Sequence, residues 1–143
     1  MNTHSDLITI KSGAHIEFVE IRDKVAAAIN RSNVKNGIAI LTTQHTTTAV
    51  CINEKCSRLQ EDMKEALKCL VPVNADYKHD HSSVDGRNNA HSHLMSLFLK
   101  TNEIVPITDG KMALGTWQSI FFIELDGPRP ERNIRVTIIG NDE

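Results

Sequence analysis

The chain has 143 residues, with 16 Lys and Arg against 18 Asp and Glu for a formal net charge of −2. At this length a sizeable core can be buried without disulfide or metal staples, and 40% hydrophobic with 24% charged residues is the balance of a soluble globular chain rather than a disordered or membrane-embedded one. The near-neutral charge lacks the basic footprint that nucleic-acid binding needs, and Met1-Asn2-Thr3-His4-Ser5-Asp6 has neither the basic nor the apolar region of a secretory leader.

Apolar and polar residues alternate over Leu7 to Ile10 and again over Ile16 to Ile21, with Gly13 between, which predicts two paired strands joined by a tight turn. From Asp23 the period becomes helical, with Val25, Ala28 and Ile29 on one stripe. Asn36-Gly37 marks the end of that helix or its loop, and Ile38 to Leu41 is an apolar strand of the buried kind. It runs into Thr42-Thr43-Gln44-His45-Thr46-Thr47-Thr48 and on to Asn53-Glu54, a β-branched stretch that reads as strand, bend, strand. Ser57-x-x-Gln60 has capping-box spacing for a second helix, carried by Leu59, Met63, Ala66, Leu67 and Leu70 and stopped by Pro72. The polar stretch from Asn74 to Asn89 shows little periodicity. Ala90, Leu94, Leu97 and Phe98 then share one face of a third helix. Strands follow over Glu103 to Ile107, through Ile120 to Leu125 and over Ile134 to Ile139, with turns at Asp109-Gly110 and Asp126-Gly127-Pro128. No repeat or linker divides the chain. The expected fold is a single α+β domain over residues 1–143, a largely antiparallel sheet or sandwich with about three helices.

Three cysteines, Cys51, Cys56 and Cys69, without CxxC spacing suggest free thiols in a reducing compartment, hence the cytoplasm. They read as core or near-core thiols, with a nucleophilic Cys51 near His45 as the sharper alternative. The unusual count is seven histidines. His79, His81, His91 and His93 fall close together and His45 sits in the threonine-rich bend. Imidazole is the commonest metal ligand, and three with one open position form the catalytic zinc arrangement. On a helix, positions i and i+2 lie about 200° apart, so His91 and His93 cannot both face one ion. A ligand set of one helical histidine, one loop histidine and His45 is the arrangement this geometry favours, with Asp80 or Asp85 able to orient an imidazole. The single tryptophan, Trp117 in Gly115-Thr116-Trp117-Gln118, reads as a core anchor. Arg129, with Arg132 shortly after the Asp126 turn, is either a solvated charge or a planar fork for phosphate or carboxylate.

His45-Thr46-Thr47 with Asn53-Glu54, Tyr77-x-His79, Asn89-x-x-x-His93-Leu94, Gly110, Gly115-Thr116-Trp117-Gln118 and Asp126-Gly127-Pro128-Arg129 together resemble the YjbQ family, also called the secondary thiamine-phosphate synthase family. The likeness covers nearly the whole chain. It implies a compact α+β fold, a homotrimer and a divalent metal, by ligand type zinc, on His45, His79 and His93. The implied activity joins a pyrimidine pyrophosphate to a thiazole phosphate with loss of pyrophosphate, as a main or side reaction. Glu54, Asn53 and Gln118 would then serve the chemistry, while Thr46, Thr47, Asn89, Thr116 and Arg129 would bind the phosphorylated substrate. A zinc-dependent hydrolase, and a non-enzymatic module that sequesters a metal or small ligand, are the alternative readings of the same residues.

Overall fold

The computed structural model describes residues 1–143. In chain order the elements are β1 (Asn2–Ser12), β2 (Glu17–Glu20), α1 (Arg22–Ser32), β3 (Asn36–Thr43), β4 (Thr48–Glu54), α2 (Ser57–Leu70), a single 3-10 turn (Lys78–His81), α3 (Ala90–Phe98), β5 (Asn102–Thr108), β6 (Lys111–Met112), β7 (Gln118–Glu124) and β8 (Arg129–Asn141). The α+β expectation holds. The strands form two antiparallel sheets, one of five strands in the order β1-β8-β3-β5-β6 and one of three in the order β2-β7-β4.

The two sheets enclose the main core. Ile8, Ile10, Leu41, Val105, Ile134, Val136 and Ile138 from the large sheet meet Val50, Ile120 and Phe122 from the small one, with Val25, Ala28 and Ile29 of α1 packed among them. The outer face of the small sheet carries a second core, where Ala49, Ile123 and Leu125 meet Leu67 and Val71 of the α2 end and Met95 of α3. β7 is therefore covered on both faces, and every residue from Ser119 to Glu124 is buried. Strand periodicity explains the division: Ile120 and Phe122 point to one core, Phe121 and Ile123 to the other. No helix is long and apolar enough to cross a membrane.

Four expectations change. β1 and β2 are not a hairpin: β1 pairs with β8 from Asn2↔Gly140 onward, while β2 pairs with β7, so the Gly13 segment carries the chain from one sheet to the other. Each strand finds a longer apolar partner there than the other could offer. The first helix ends at Asn33 in the left-handed region (φ 58°), and Asn36-Gly37 already belongs to β3. Ser57 is inside α2 rather than at its cap, which falls on Cys56 with no side-chain hydrogen bond. In α3 the buried residues are Ala90, His91, Ser92 and Met95, while Leu97 and Phe98 are 75% and 64% exposed. The polar His91 and Ser92 turn inward because partners await them: the Ser92 hydroxyl donates to the Leu125 carbonyl at 2.6 Å, and His91 Nε2 lies 2.7 Å from His15 Nε2.

Candidate functional site

The threonine-rich segment is polar because it crosses between sheets. β3 belongs to the large sheet and β4 to the small one, so residues 44–47 leave both ladders and find other partners. Thr43 and Thr48 hydroxyls lie 2.6 Å apart, the Leu125 N–H donates to the Thr47 carbonyl, and the Gln44 N–H donates to the Asn133 carbonyl. The Asn133 N–H in turn donates to His45 Nε2 at 2.8 Å. With that lone pair committed, a neutral His45 carries its hydrogen on Nδ1. Burial, then the nearby Arg132 and Arg129 charges, push its pKa below the ordinary histidine value and keep it neutral.

Beneath this bend lies a buried ionic frame. The Arg132 guanidinium, 4% exposed, grips Glu124 through Nε at 2.9 Å and Nη2 at 2.6 Å, and Nη2 also reaches the Thr47 hydroxyl at 2.9 Å. Glu124 further accepts from the Ser12 hydroxyl and the Asp126 N–H. Burial alone would raise its pKa, but the Arg132 and Ser12 hydrogen bonds outweigh it and hold the carboxyl below the ordinary range. Asp126 accepts from Arg87, Asn89 and Arg129 at 2.8–3.2 Å. Against the opposing effect of burial, these donors hold it down to about 2. Gly127 lets this turn press onto β2's approach: a Cβ there would lie 2.0 Å from the Ala14 carbonyl oxygen and 2.8 Å from Glu124 Cγ.

Over this frame opens a pocket of about 300 Å³, lined by Gln44, His45, Thr46, Thr47, Asp85, Asn89, His93, Arg129 and Arg132, with no apolar residue. Three guanidiniums, Arg87, Arg129 and Arg132, stand against two buried carboxylates, Asp126 and Glu124, leaving one positive charge. Only Asp85, at the exposed rim, offsets it. The groups facing the pocket are mostly donors: guanidinium N–H of Arg129 and Arg132, His45 Nδ1–H, and hydroxyl and amide groups. That is the chemistry of an oxyanion receptor.

Of the sequence-predicted residues, His45, Thr46, Thr47, Asn89, His93 and Arg129 meet here. His79 lies next door, its ring 4.9 Å from that of His93, in an adjoining cavity of about 410 Å³ that His93 also borders. The expected three-histidine zinc centre does not fit this arrangement. His79 Nε2 donates to Asn89 Oδ1 at 3.1 Å and keeps a lone pair on Nδ1, and His93 is unengaged, but His45 has no lone pair left. No three His, Cys, Asp or Glu side chains converge as a metal-holding group.

The predicted catalytic trio lies elsewhere. Glu54, Gln118 and Thr116 line a separate polar cleft, and Asn53 borders an apolar groove. Thr48 and Glu54 are the two ends of β4, about 20 Å apart at the rise of a strand. Trp117 is not a core anchor, being 74% exposed. Burial pushes the Cys51 thiol up to about 11, which argues against a nucleophilic thiolate. Cys69 is exposed rather than buried. The buried frame of Arg132, Glu124 and Asp126 has a signal in the sequence beyond the motifs: Glu124 and Arg132 share the inward phase of Ile120 and Phe122 in β7, and of Ile134 and Val136 in β8. A charge in that phase implies a buried partner. His91 and His15, which no motif joins, form a pair against this frame, and His91 Nδ1 is a buried side-chain atom without a partner.

The family model described as "UPF0047 protein YjbQ-like" matches residues 6–141. A UPF0047 protein of Methanothermobacter thermautotrophicus is 41% identical over 140 residues, covering 98% of this chain and 94% of the relative. Two crystal structures are close: a YbjQ-like protein of unknown function from Sulfolobus solfataricus P2, with TM-score 0.92, 36% identity and coverage of 98% of this chain and 99% of the other, and a hypothetical protein from Aeropyrum pernix K1, with TM-score 0.88, 33% identity and coverage of 99% and 100%.

Proposed function

The chain belongs to the YjbQ-like UPF0047 family, and on that premise we propose that it is a cytoplasmic enzyme acting on phosphorylated small molecules, of the kind that joins a pyrimidine pyrophosphate to a thiazole phosphate. In that reaction the carbon–oxygen bond to pyrophosphate breaks, the oxygen leaves with the electron pair, and the thiazole nitrogen forms the new bond to carbon. The charge therefore gathers on a departing oxyanion. The observation that carries the reading is the all-polar pocket, in which Arg129, Arg132 and a neutral His45 present donors over a buried frame. Donors fixed before the reaction stabilise a leaving oxyanion without reorganising.

Arg129 spends Nε and Nη2 on Asp126, which leaves Nη1 for a ligand. Arg132 spends the same two nitrogens on Glu124 and Thr47. Both forks are thus oriented by their carboxylates, and the phosphate meets a rigid surface. His45 serves this reading as a hydrogen-bond donor to phosphate and not as a zinc ligand. A homotrimer belongs to the same proposal, with Leu97 and Phe98 at the outer end of α3 as apolar surface that association would cover. Three free thiols accord with a reducing cytoplasm.

The test is growth of a strain lacking thiamine-phosphate synthase on expression of this chain. Growth that disappears with Arg129→Ala supports the reading. Absence of growth despite folded protein, or growth indifferent to Arg129→Ala, overturns it.

A further inference from the structure

Two strands of the chain are apolar on both faces, and the fold treats them differently. β7 carries Ile120-Phe121-Phe122-Ile123 and is covered twice, by the main core on one side and by α2 and α3 on the other. β3 carries the same signature, Ile38-Ala39-Ile40-Leu41, and is covered once. Ala39 and Leu41 are fully buried in the main core, whereas Ile38 and Ile40 turn to the outer face of the large sheet. No helix lies there, since α1 packs between the sheets and the other two helices pack on the small sheet. An antiparallel sheet with one face in water alternates apolar and polar residues, and a continuous apolar run belongs to a strand covered on both sides.

The strands beside β3 extend the same surface. Ile38 stands between Ile139 of β8 and Pro106 of β5, and Ile40 stands between Thr137 and Ile104. Ile104 is 54% exposed, and Leu7 of β1, one row further along, is 46% exposed. Through these three outward rows across β1, β8, β3 and β5 the only charged side chain is Arg135, and it donates to the Ser5 hydroxyl of the same face at 2.9 Å. Solvated surfaces carry both signs of charge interspersed. With strands about 4.8 Å apart and rows about 6.8 Å apart, the face measures about 20 Å each way.

We propose that the outer face of the large sheet is an interface between copies of this chain, with Ile38, Ile40, Ile104 and Ile139 at its centre. A nearly uncharged face meets its own copy without like-charge repulsion, and beyond Arg135 it offers a charged partner nothing to pair with. Sheets pack face to face about 10 Å apart, and a face of this size with its rim supplies roughly the 800 Å² that each partner gives to a stable interface. The surface lies on the opposite side of the sandwich from α3, so it is distinct from the Leu97 and Phe98 pair. The proposal depends neither on the oxyanion pocket and its reaction nor on the number of copies in the assembly.

The full chain is tested by sedimentation velocity over a micromolar concentration series, as the wild type, as Ile40→Lys with Ile104→Lys, and as Ile40→Thr with Ile104→Thr. Threonine keeps the β-branched shape that strands favour, so the second variant reports on the face even where lysine disturbs folding. The expected results are an associated wild type, a monomeric lysine variant with the circular dichroism of the folded chain, and a dissociation constant raised more than tenfold in the threonine variant, through the lost burial of two apolar side chains. Three results overturn the proposal: a monomeric wild type, a folded lysine variant that associates like the wild type, or an unchanged dissociation constant in the threonine variant. A wild type that forms dimers broken by these substitutions upholds the interface while removing the trimer from the proposed function.

Discussion

The Asn133 N–H and His45 Nε2, 2.8 Å apart, decide what kind of group His45 is. A backbone donor on β8 occupies the nitrogen lone pair, so the side chain faces its pocket as an N–H donor. Burial and the neighbouring arginine charges keep it neutral, and a neutral donor can bind an anion but not a cation. His45→Ala is therefore expected to weaken binding of inorganic pyrophosphate about fivefold to tenfold, the value of one hydrogen bond to a charged acceptor. The same substitution should leave zinc uptake unchanged. Isothermal titration calorimetry with each ligand checks both, and loss of zinc in His45→Ala would refute the assignment.

Glu124 is completely buried and has one counter-charge, Arg132, itself 4% exposed. Removing one member of such a pair strands the other in a medium that disfavours charge. Arg132→Met should cost about 3–5 kcal/mol in urea denaturation. The double variant Arg132→Met with Glu124→Leu should recover much of that loss, since a buried pair replaced by apolar side chains is often nearly neutral. The pocket would still be lost, which separates the frame's role in binding from its role in stability.

Asp126 gives a pH dependence with a definite sign. Its folded pKa of about 2 lies below the unfolded value of 3.8, so the unfolded chain binds the proton more tightly. The stabilisation is complete above the unfolded pKa and is lost as pH falls from about 4 through about 2. The gap corresponds to about 2 kcal/mol. Denaturation midpoints measured across that range should fall more steeply for the wild type than for Asp126→Asn, whose midpoint should already be lower at neutral pH.

His91 and His93 illustrate how far the sequence could be read. Their spacing places them on different sides of one helix, and the structure follows: His93 borders the pocket, whereas His91 is 2% exposed and packs on His15. Local periodicity was sufficient there, as it was for the existence of three helices and for β3 and β4, but not for the buried face of α3; that His45, Asn89 and Arg129 belong to one site was implied by the family resemblance and not by any local pattern. It failed where the answer lay in distant chain. Nothing local to Ile16–Ile21 reveals that β2 pairs with β7 rather than β1, or that Glu54 faces away from His45 along one strand. Motifs that neighbour one another in a list need not do so in space. The expected outcome is a clean division: His93→Ala should weaken pyrophosphate binding with little change in stability, while His91→Ala should cost about 2 kcal/mol through the cavity it leaves. Thermal unfolding together with binding calorimetry on both variants reads the two effects separately.

Leu97 and Phe98 form an exposed apolar pair at the end of α3. Their helix turns His91, Ser92 and Met95 inward, which pushes two large apolar side chains into water at the C-terminal end of α3. The choice is energetically lopsided, since polar His91 is buried while Phe98 is not, and it is understandable if the outer face is also covered. Burying each side chain against a second copy is worth about 2 kcal/mol, enough to shift an association constant by more than tenfold per residue. If the proposed homotrimer uses this face, sedimentation velocity on the wild type should give a trimer, and Leu97→Asp with Phe98→Asp should shift it to monomer with the circular dichroism of the folded chain retained. A monomeric wild type at micromolar concentration would rule out the trimer, and a trimer indifferent to both substitutions would move its contact surface to another face.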